Sequence, residues 1–361
     1  MPETACWLEI DRATIVANAR ALAAKAAPAA LCAVVKSNAY GHGMVPVAQA
    51  LADAQIPGLR LGVFTIEEAF GLRGHGISLP IFVVGPVGRE NLAEAAAENI
   101  ELALLDERDC EAFAAARVAA HLKVESGTNR FGVAAARAPQ ALERCEQLGL
   151  RLTGLYSHLA NAEDIDKPFA LQQLDALKRV AGAAKSRPML HIAASAAAMM
   201  WPEMRLDMVR CGIAIYGAWP SPAVEAVMAG EDPSFVLRPA LRWFAPIVQI
   251  RDAHPGETVG YGRTFAVTRE SKIAVLAVGY DDGLPRAAGE GRMRVRIGDA
   301  RAPIVGRIAM NTCVIDVTDV APWPAPGDIV EFEIEPLARA AGTINYEVLA
   351  RLPEHLQRRY L

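Results

Sequence analysis

From Leu31 onward, short apolar runs alternate with amphipathic, alanine-rich stretches, and the alternation continues to Tyr216. The apolar runs are Leu31–Lys36, Arg60–Thr65, Pro80–Gly85, Glu101–Leu105, His121–Glu125, Arg151–His158, Met189–Ala193 and Met208–Tyr216. Helical spacing of apolar residues fills most of the intervals, at Met44–Gln55, Glu90–Glu98, Glu107–Arg117, Ala138–Leu148 and Phe169–Ala184. A helical crossover brings the chain back parallel to the strand it left, so this order requires a parallel sheet. Eight repeats predict a closed (β/α)8 barrel of the TIM type. An open, doubly wound sheet fits the same periodicity. However, Ser37-Asn38-Ala39-Tyr40-Gly41 after the first strand lacks the glycine-rich dinucleotide fingerprint.

Past Tyr216 the texture changes. Proline and polar punctuation over Ala218–Pro239 read as a linker. Strand-like runs follow at Val236–Ile250, Lys272–Gly279, Arg292–Ile297, Ala302–Ile308, Thr312–Val317 and Asp328–Glu333, with helical patterning only at Glu335–Ala341. The fold class expected is therefore α/β, a barrel over residues 11–232 followed by a mostly β C-terminal domain over 233–361. Residues 1–10 hold a strand-like Trp7-Leu8-Glu9-Ile10 that can pair with the second domain, and Arg12–Lys25 reads as a helix.

Apolar residues make up 52% of the 361 and charged ones 22%, enough to build a large core under a soluble surface. A net charge of −4 with no polybasic run argues against nucleic acid or an anionic membrane as partner. No apolar run reaches spanning length, and Met1-Pro2-Glu3-Thr4 does not open a secretory signal, so a cytoplasmic location is expected. The six cysteines are scattered without a CxxC pair, which predicts reduced, packed thiols and no metal site.

Barrel enzymes carry their chemistry at the C-terminal ends of the strands. In this chain those ends hold Lys36, Lys123 with Arg130, His158, Ser195 and Arg210 followed by Gly212 and Ile213. Burial at a strand end disfavours the charged form of Lys36 and leaves an amine able to form a Schiff base with an aldehyde cofactor. Ser195 and the amides of Gly212 and Ile213 fall where such barrels hold phosphate.

The block Val35-Lys36-Ser37-Asn38-Ala39-Tyr40-Gly41-His42-Gly43 strongly resembles the pyridoxal-phosphate lysine motif of alanine racemases, and the likeness spans nearly the whole chain. It implies an isomerase that interconverts L- and D-alanine on pyridoxal 5'-phosphate, for cell-wall precursors or alanine catabolism. Lys36 then matches the Schiff-base lysine. Tyr40, Ser195, Gly212, Ile213 and Tyr346 match phosphate-binding positions. Arg210 resembles the arginine at the pyridine nitrogen, with His158 linked to it. Arg130 fits the arginine beside the phenolic oxygen, and Lys123 matches a lysine that is often carbamylated. Tyr261, in Gly260-Tyr261-Gly262-Arg263, resembles the second catalytic base; Tyr280 and Met310 match the substrate pocket, the Met310 N–H and Arg130 contacting substrate. The resemblance assigns Lys36 to the D-enantiomer and Tyr261 to the L-enantiomer, and implies a head-to-tail homodimer with active sites shared between subunits.

Three positions depart from the family pattern: Ala194 where asparagine is common, Asp281 where a small residue is usual, and Asn311 where aspartate is typical. Rival readings on the same residues are a racemase of broader specificity acting on serine, a barrel decarboxylase and a non-catalytic cofactor carrier. A decarboxylase of this class carries glutamate where Arg210 stands, and carriers are single barrels.

Overall fold

A computed structural model describes residues 5–361. The described chain divides into two compact units, one of residues 12–39 and 44–239, the other of residues 5–11, 40–43 and 240–361. The first four residues of the expected N-terminal segment lie outside the described residues.

The larger unit is the barrel. Its eight parallel strands are Ala30–Val34, Arg60–Val63, Ile81–Val83, Ile100–Leu104, Ala120–Glu125, Leu152–Tyr156, Met189–His191 and Met208–Cys211. They pair in chain order, and the eighth returns to the first with Met208 opposite Ala30. Between the seventh and eighth, closure rests on a single bridge from Ala194 to Arg210, because the seventh strand is only three residues long. Such strands are buried on both faces, which is why they read as apolar runs rather than alternating ones. Leu31, Leu61, Ile81, Leu102 and Leu122 are all fully buried, each contributing about 1.5–3 kcal/mol to folding.

The helices start where the local sequence supplies an acceptor. Thr65 and Glu68 form a reciprocal capping box at Ile66–Gly74, and Asp166 caps Lys167–Ala181. The stretch expected as a linker contains a helix, Pro222–Glu231, with Ser221 accepting from the Val224 N–H and proline in the first turn. Proline there needs no donor, so the residue that looks like a breaker is a helix start.

In the other unit, Trp7–Ile10 runs antiparallel to Leu241–Phe244 and parallel to Gln357–Tyr360. Strand Leu241–Ala253 is the organiser. Its first half pairs with Ile329–Phe332 and its second half with Ser271–Leu276. A bulge between Ile247 and Gln249 lets one strand turn from one set of partners to the other. Trp243 and Phe332 pack at 5.2 Å inside this sheet, both buried.

Candidate active site

The first barrel strand ends at Val34, and the chain then enters a turn at Lys36–Tyr40 that the strand-end expectation for Lys36 did not include. Ser37, Asn38, Ala39 and Tyr40 all have φ between 51° and 54°. Four successive non-glycine residues in the left-handed region are costly, at about 1–2 kcal/mol each, and persist only where surroundings hold them. Glu68 accepts from the Ser37 N–H at 2.7 Å, and Asn38 Oδ1 accepts from the Met44 N–H at 2.8 Å. The Glu68 carboxylate that completes the capping box therefore also anchors the lysine turn. Burial lowers the Lys36 pKa from its ordinary value, Arg130 adds to this, and Glu68 opposes it. The amine lies 5.6 Å from the centre of the Phe64 ring.

Arg210 occupies the eighth strand, buried. Its Nη1 donates to Nδ1 of His191 at 2.5 Å, and its Nη2 donates to the Ser157 carbonyl at 2.8 Å, His158 Nδ1 at 3.2 Å and the Ile192 carbonyl at 3.2 Å. Its Nε–H has no protein partner among the described residues.

A guanidinium only donates, so Nδ1 of His191 must accept and Nε2 must carry the proton. That N–H then donates to His121 Nδ1 at 2.8 Å, and His121 Nε2–H donates to Glu101 at 3.2 Å. Arg60 pairs with the same Glu101 oxygen. The chain of donors descends from the strand end that carries Arg210 to the strand starts that carry Glu101 and Arg60. Burial pushes His191 and His158 well below their ordinary pKa, with Arg210 contributing to both, and burial lowers His121 as well. All three imidazoles are neutral at physiological pH. Tyr156 stacks on His191 at 4.8 Å, Phe82 on His121 at 4.3 Å, and a Cβ on Gly154 would lie 2.2 Å from His121 Nδ1. His191 and His121 carry no sequence signal for this arrangement, and only the barrel brings them together.

Lys123 is 4% exposed, and its Nζ has no hydrogen-bond partner among the described residues. Burial, helped by the charges of Arg210 and Arg130, lowers its pKa to about 8. Beyond it, burial would raise the Glu125 carboxyl, but hydrogen bonds from Thr128 Oγ1 and the N–H groups of Gly127, Asn129 and Arg130 bring it to about 2. Glu125 thereby ties down the loop that carries Arg130. A cleft of about 420 Å3 lies against Thr128, Arg130, His158 and Ala194.

Ser195 begins the helix Ser195–Met200, and its Oγ accepts from the Gly212 N–H at 3.1 Å. Ala194, the departure from asparagine, gives that helix no side-chain cap. Ile213 follows at the start of a short 3-10 turn. The barrel thus brings together Lys36, Lys123, Arg130, His158, Ser195, Arg210, Gly212 and Ile213 at strand ends.

In the other unit the Tyr40 and Tyr346 rings are 6.2 Å apart. Tyr261 lies on a turn between two-residue strands Thr258–Val259 and Phe265–Ala266, with Gly260 and Gly262 at φ 76° and 73°. A Cβ on Gly262 would lie 2.8 Å from Arg307 Nη1. Tyr261 is 75% exposed and Met310 54%. Asn311 Nδ2 donates to Asp281 Oδ2 at 3.5 Å, so two of the three departures contact each other. Among the described residues, no group of three or more His, Cys, Asp or Glu is placed to hold a metal ion, and no helix is long and apolar enough to cross a membrane.

Two family models account for almost all of this chain: the alanine racemase N-terminal domain matches residues 10–220, and the alanine racemase C-terminal domain matches 240–360. The chain belongs to the alanine racemase family. An alanine racemase of Thermobifida fusca is 38% identical over 97% of this chain and 96% of its own. The crystal structure of alanine racemase from the D-cycloserine producer Streptomyces lavendulae superposes with a TM-score of 0.91 at 32% identity, covering 100% of this chain and 98% of that one. The alanine racemase of Bartonella henselae, solved with covalently bound pyridoxal phosphate, has a TM-score of 0.89 at 29% identity, covering 99% and 100%.

Proposed function

We propose that the protein interconverts L- and D-alanine with pyridoxal 5'-phosphate as cofactor, using Lys36 and Tyr261 as its two bases. The observation that carries this reading is the Lys36 amine, depressed by burial and held on a left-handed turn. The residues present in the barrel fit the group: Lys36 would supply the amine for its aldehyde, Arg210 has a spare Nε–H for its ring nitrogen, and Ser195, positioned by the Gly212 N–H, would meet its phosphate together with Ile213, while Tyr40 and Tyr346 are phosphate positions by resemblance to the family. When bound, the cofactor would supply an aldehyde for the substrate amine and an electron sink for the α-carbon.

Racemisation needs a proton removed from one face of that carbon and one returned to the other. Lys36 serves the face of the D-enantiomer. Its ammonium form is disfavoured by burial and by Arg130, so Nζ is ready to accept a proton. Tyr261 serves the face of the L-enantiomer; His158, held neutral by burial, accepts from Arg210 at Nδ1 and keeps Nε2–H as a donor within the barrel's site. Arg210 keeps its proton, so it would donate to the ring nitrogen without protonating it, which would limit the ring as an electron sink and confine the chemistry to racemisation. Arg130 and the Met310 N–H hold substrate.

The exposed Tyr261 and Met310 serve the site of a second subunit in a head-to-tail homodimer with shared sites. Lys123, its pKa lowered to about 8 by burial, takes up carbon dioxide through its unprotonated fraction: an N–C bond forms as one C=O π bond opens, the amine loses a proton to solvent, and the resulting carbamate is an anion for Arg130. Six buried free thiols suit a reducing, cytoplasmic setting. Enantiomer-resolved assays on alanine, serine and a larger amino acid test the function. Racemisation of alanine well above the others is expected. A preference for serine would transfer the reading to a broader racemase, with the Asp281–Asn311 contact beside Met310 as its cause. Release of carbon dioxide would make the protein a decarboxylase.

A further inference from the structure

Cys110 and Cys145 take no part in the site described above. Cys110 opens the helix Cys110–Ala116 and Cys145 lies in Ala138–Gln147. Their Sγ atoms are 3.3 Å apart, in hydrogen-bond contact, and both residues are buried free thiols. A disulfide needs about 2.05 Å, so closing one takes a movement of only about 1.3 Å. The two segments are already clamped together: Arg144 pairs with Glu111 next to the thiols, and Arg137, just before the second helix, pairs with Glu107 in the turn that leads into Cys110.

Either sulfur can donate in this Sγ–Sγ hydrogen bond, so a thiolate formed on one is held by the S–H of the other.

We propose that Cys110 and Cys145 form a reversible intramolecular disulfide, a modification site for oxidants of the peroxide class. One of the two sulfurs, as thiolate, attacks a peroxide oxygen, breaking the O–O bond and releasing hydroxide, which takes up a proton as water. The other sulfur then displaces the hydroxyl of the sulfenic acid so formed, making the S–S bond as its own proton leaves with that hydroxyl as a second water. Two thiols are oxidised by two electrons, and one peroxide is reduced to two waters. The bridge closes a loop over residues 110–145, which contains Lys123, Glu125 and Arg130, so oxidation would fasten the segment that presents the barrel's fifth strand end. Because both sulfurs are buried, reaction waits on local opening of the seven-residue helix Cys110–Ala116.

The test treats the folded holoenzyme with hydrogen peroxide, blocks remaining thiols and maps peptides by mass spectrometry. The expected result is the loss of two of the six thiols, a mass decrease of two hydrogens, a single cross-link between the peptides of Cys110 and Cys145, and full reversal by dithiothreitol. The Cys145→Ser variant should stop at a Cys110 sulfenic acid that dimedone captures. Six intact thiols, a cross-link between other cysteines, or Cys110 oxidised in the wild type without a bridge would each overturn the proposal. The wild-type map decides the matter even if the variant fails to fold.

Discussion

Nδ1 of His191 accepts a hydrogen bond from the Arg210 guanidinium at 2.5 Å, and that contact fixes the protonation of the imidazoles beneath it. With Nδ1 committed, His191 donates from Nε2 to His121, which donates to Glu101. The positive charge of Arg210 is then separated from its nearest carboxylate in this chain of bonds by two neutral rings.

The pH dependence of stability follows with a definite sign. His121, His158 and His191 all have pKa values below the ordinary 6.5 in the folded protein. As pH falls through about 6.5, the unfolded chain takes up protons at these positions while the folded chain does not. Stability should therefore be full above this pH and fall steadily below it. Thermal midpoints measured from pH 8 to pH 5 should decline, with nitrogen-15 spectra still showing neutral Nε2–H imidazoles for His191 and His121 in the folded protein. Imidazolium signals at pH 6 would contradict the donor chain.

Lys123 acts with the same sign in a higher pH window. In carbon-dioxide-free buffer its folded pKa of about 8 lies below its unfolded value. The unfolded chain therefore binds the extra proton between about pH 8 and 10.4, and stability from this group rises with pH across that interval. Its magnitude is on the order of 3 kcal/mol. A Lys123→Met variant should lose that rise and be more stable than wild type at neutral pH. Bicarbonate labelled with carbon-13 should give a carbamate resonance in the wild type and none in the variant.

Much of this architecture could be read before any coordinates. All eight barrel strands coincide with apolar runs, because a parallel strand buried on both faces needs little besides branched and small apolar residues. The lysine block could be found because the residues following the strand lie consecutively. What escaped had physical reasons. Gln357–Tyr360 is a strand whose residues, Gln-Arg-Arg-Tyr, look like a charged tail, and only pairing with Trp7–Ile10 makes it one. The left-handed turn has no glycine at its four positive-φ positions, so nothing in its composition announces it. The helix Ile66–Gly74 could have been found, since Thr65 and Glu68 spell a capping box. His121 and His191 are 70 residues apart in the chain, beyond the reach of any local pattern.

Glu68 links two features that the sequence keeps 31 residues apart, the lysine turn and the helix start. Glu68→Ala would strand the N–H groups of Ser37, Phe64 and Thr65. A loss of about 1–3 kcal/mol is expected, together with weaker binding when the apoprotein is titrated with pyridoxal phosphate. Unchanged urea midpoints and unchanged cofactor affinity would show that the turn is held by other contacts.

A shared site predicts complementation. Neither Lys36→Ala nor Tyr261→Phe should racemise alanine appreciably alone. After subunit exchange about half the dimers are mixed, and each mixed dimer has one intact site of two, so about one quarter of wild-type activity should return on this symmetric arrangement. A mixture that stays inactive with exchange verified would assign both residues to one subunit's site.

The most direct measurement is to reduce the holoenzyme with borohydride, digest it and locate the pyridoxyl group. The account predicts a single labelled peptide carrying the modification on Lys36. A label on another lysine, or an unlabelled holoprotein, would contradict it.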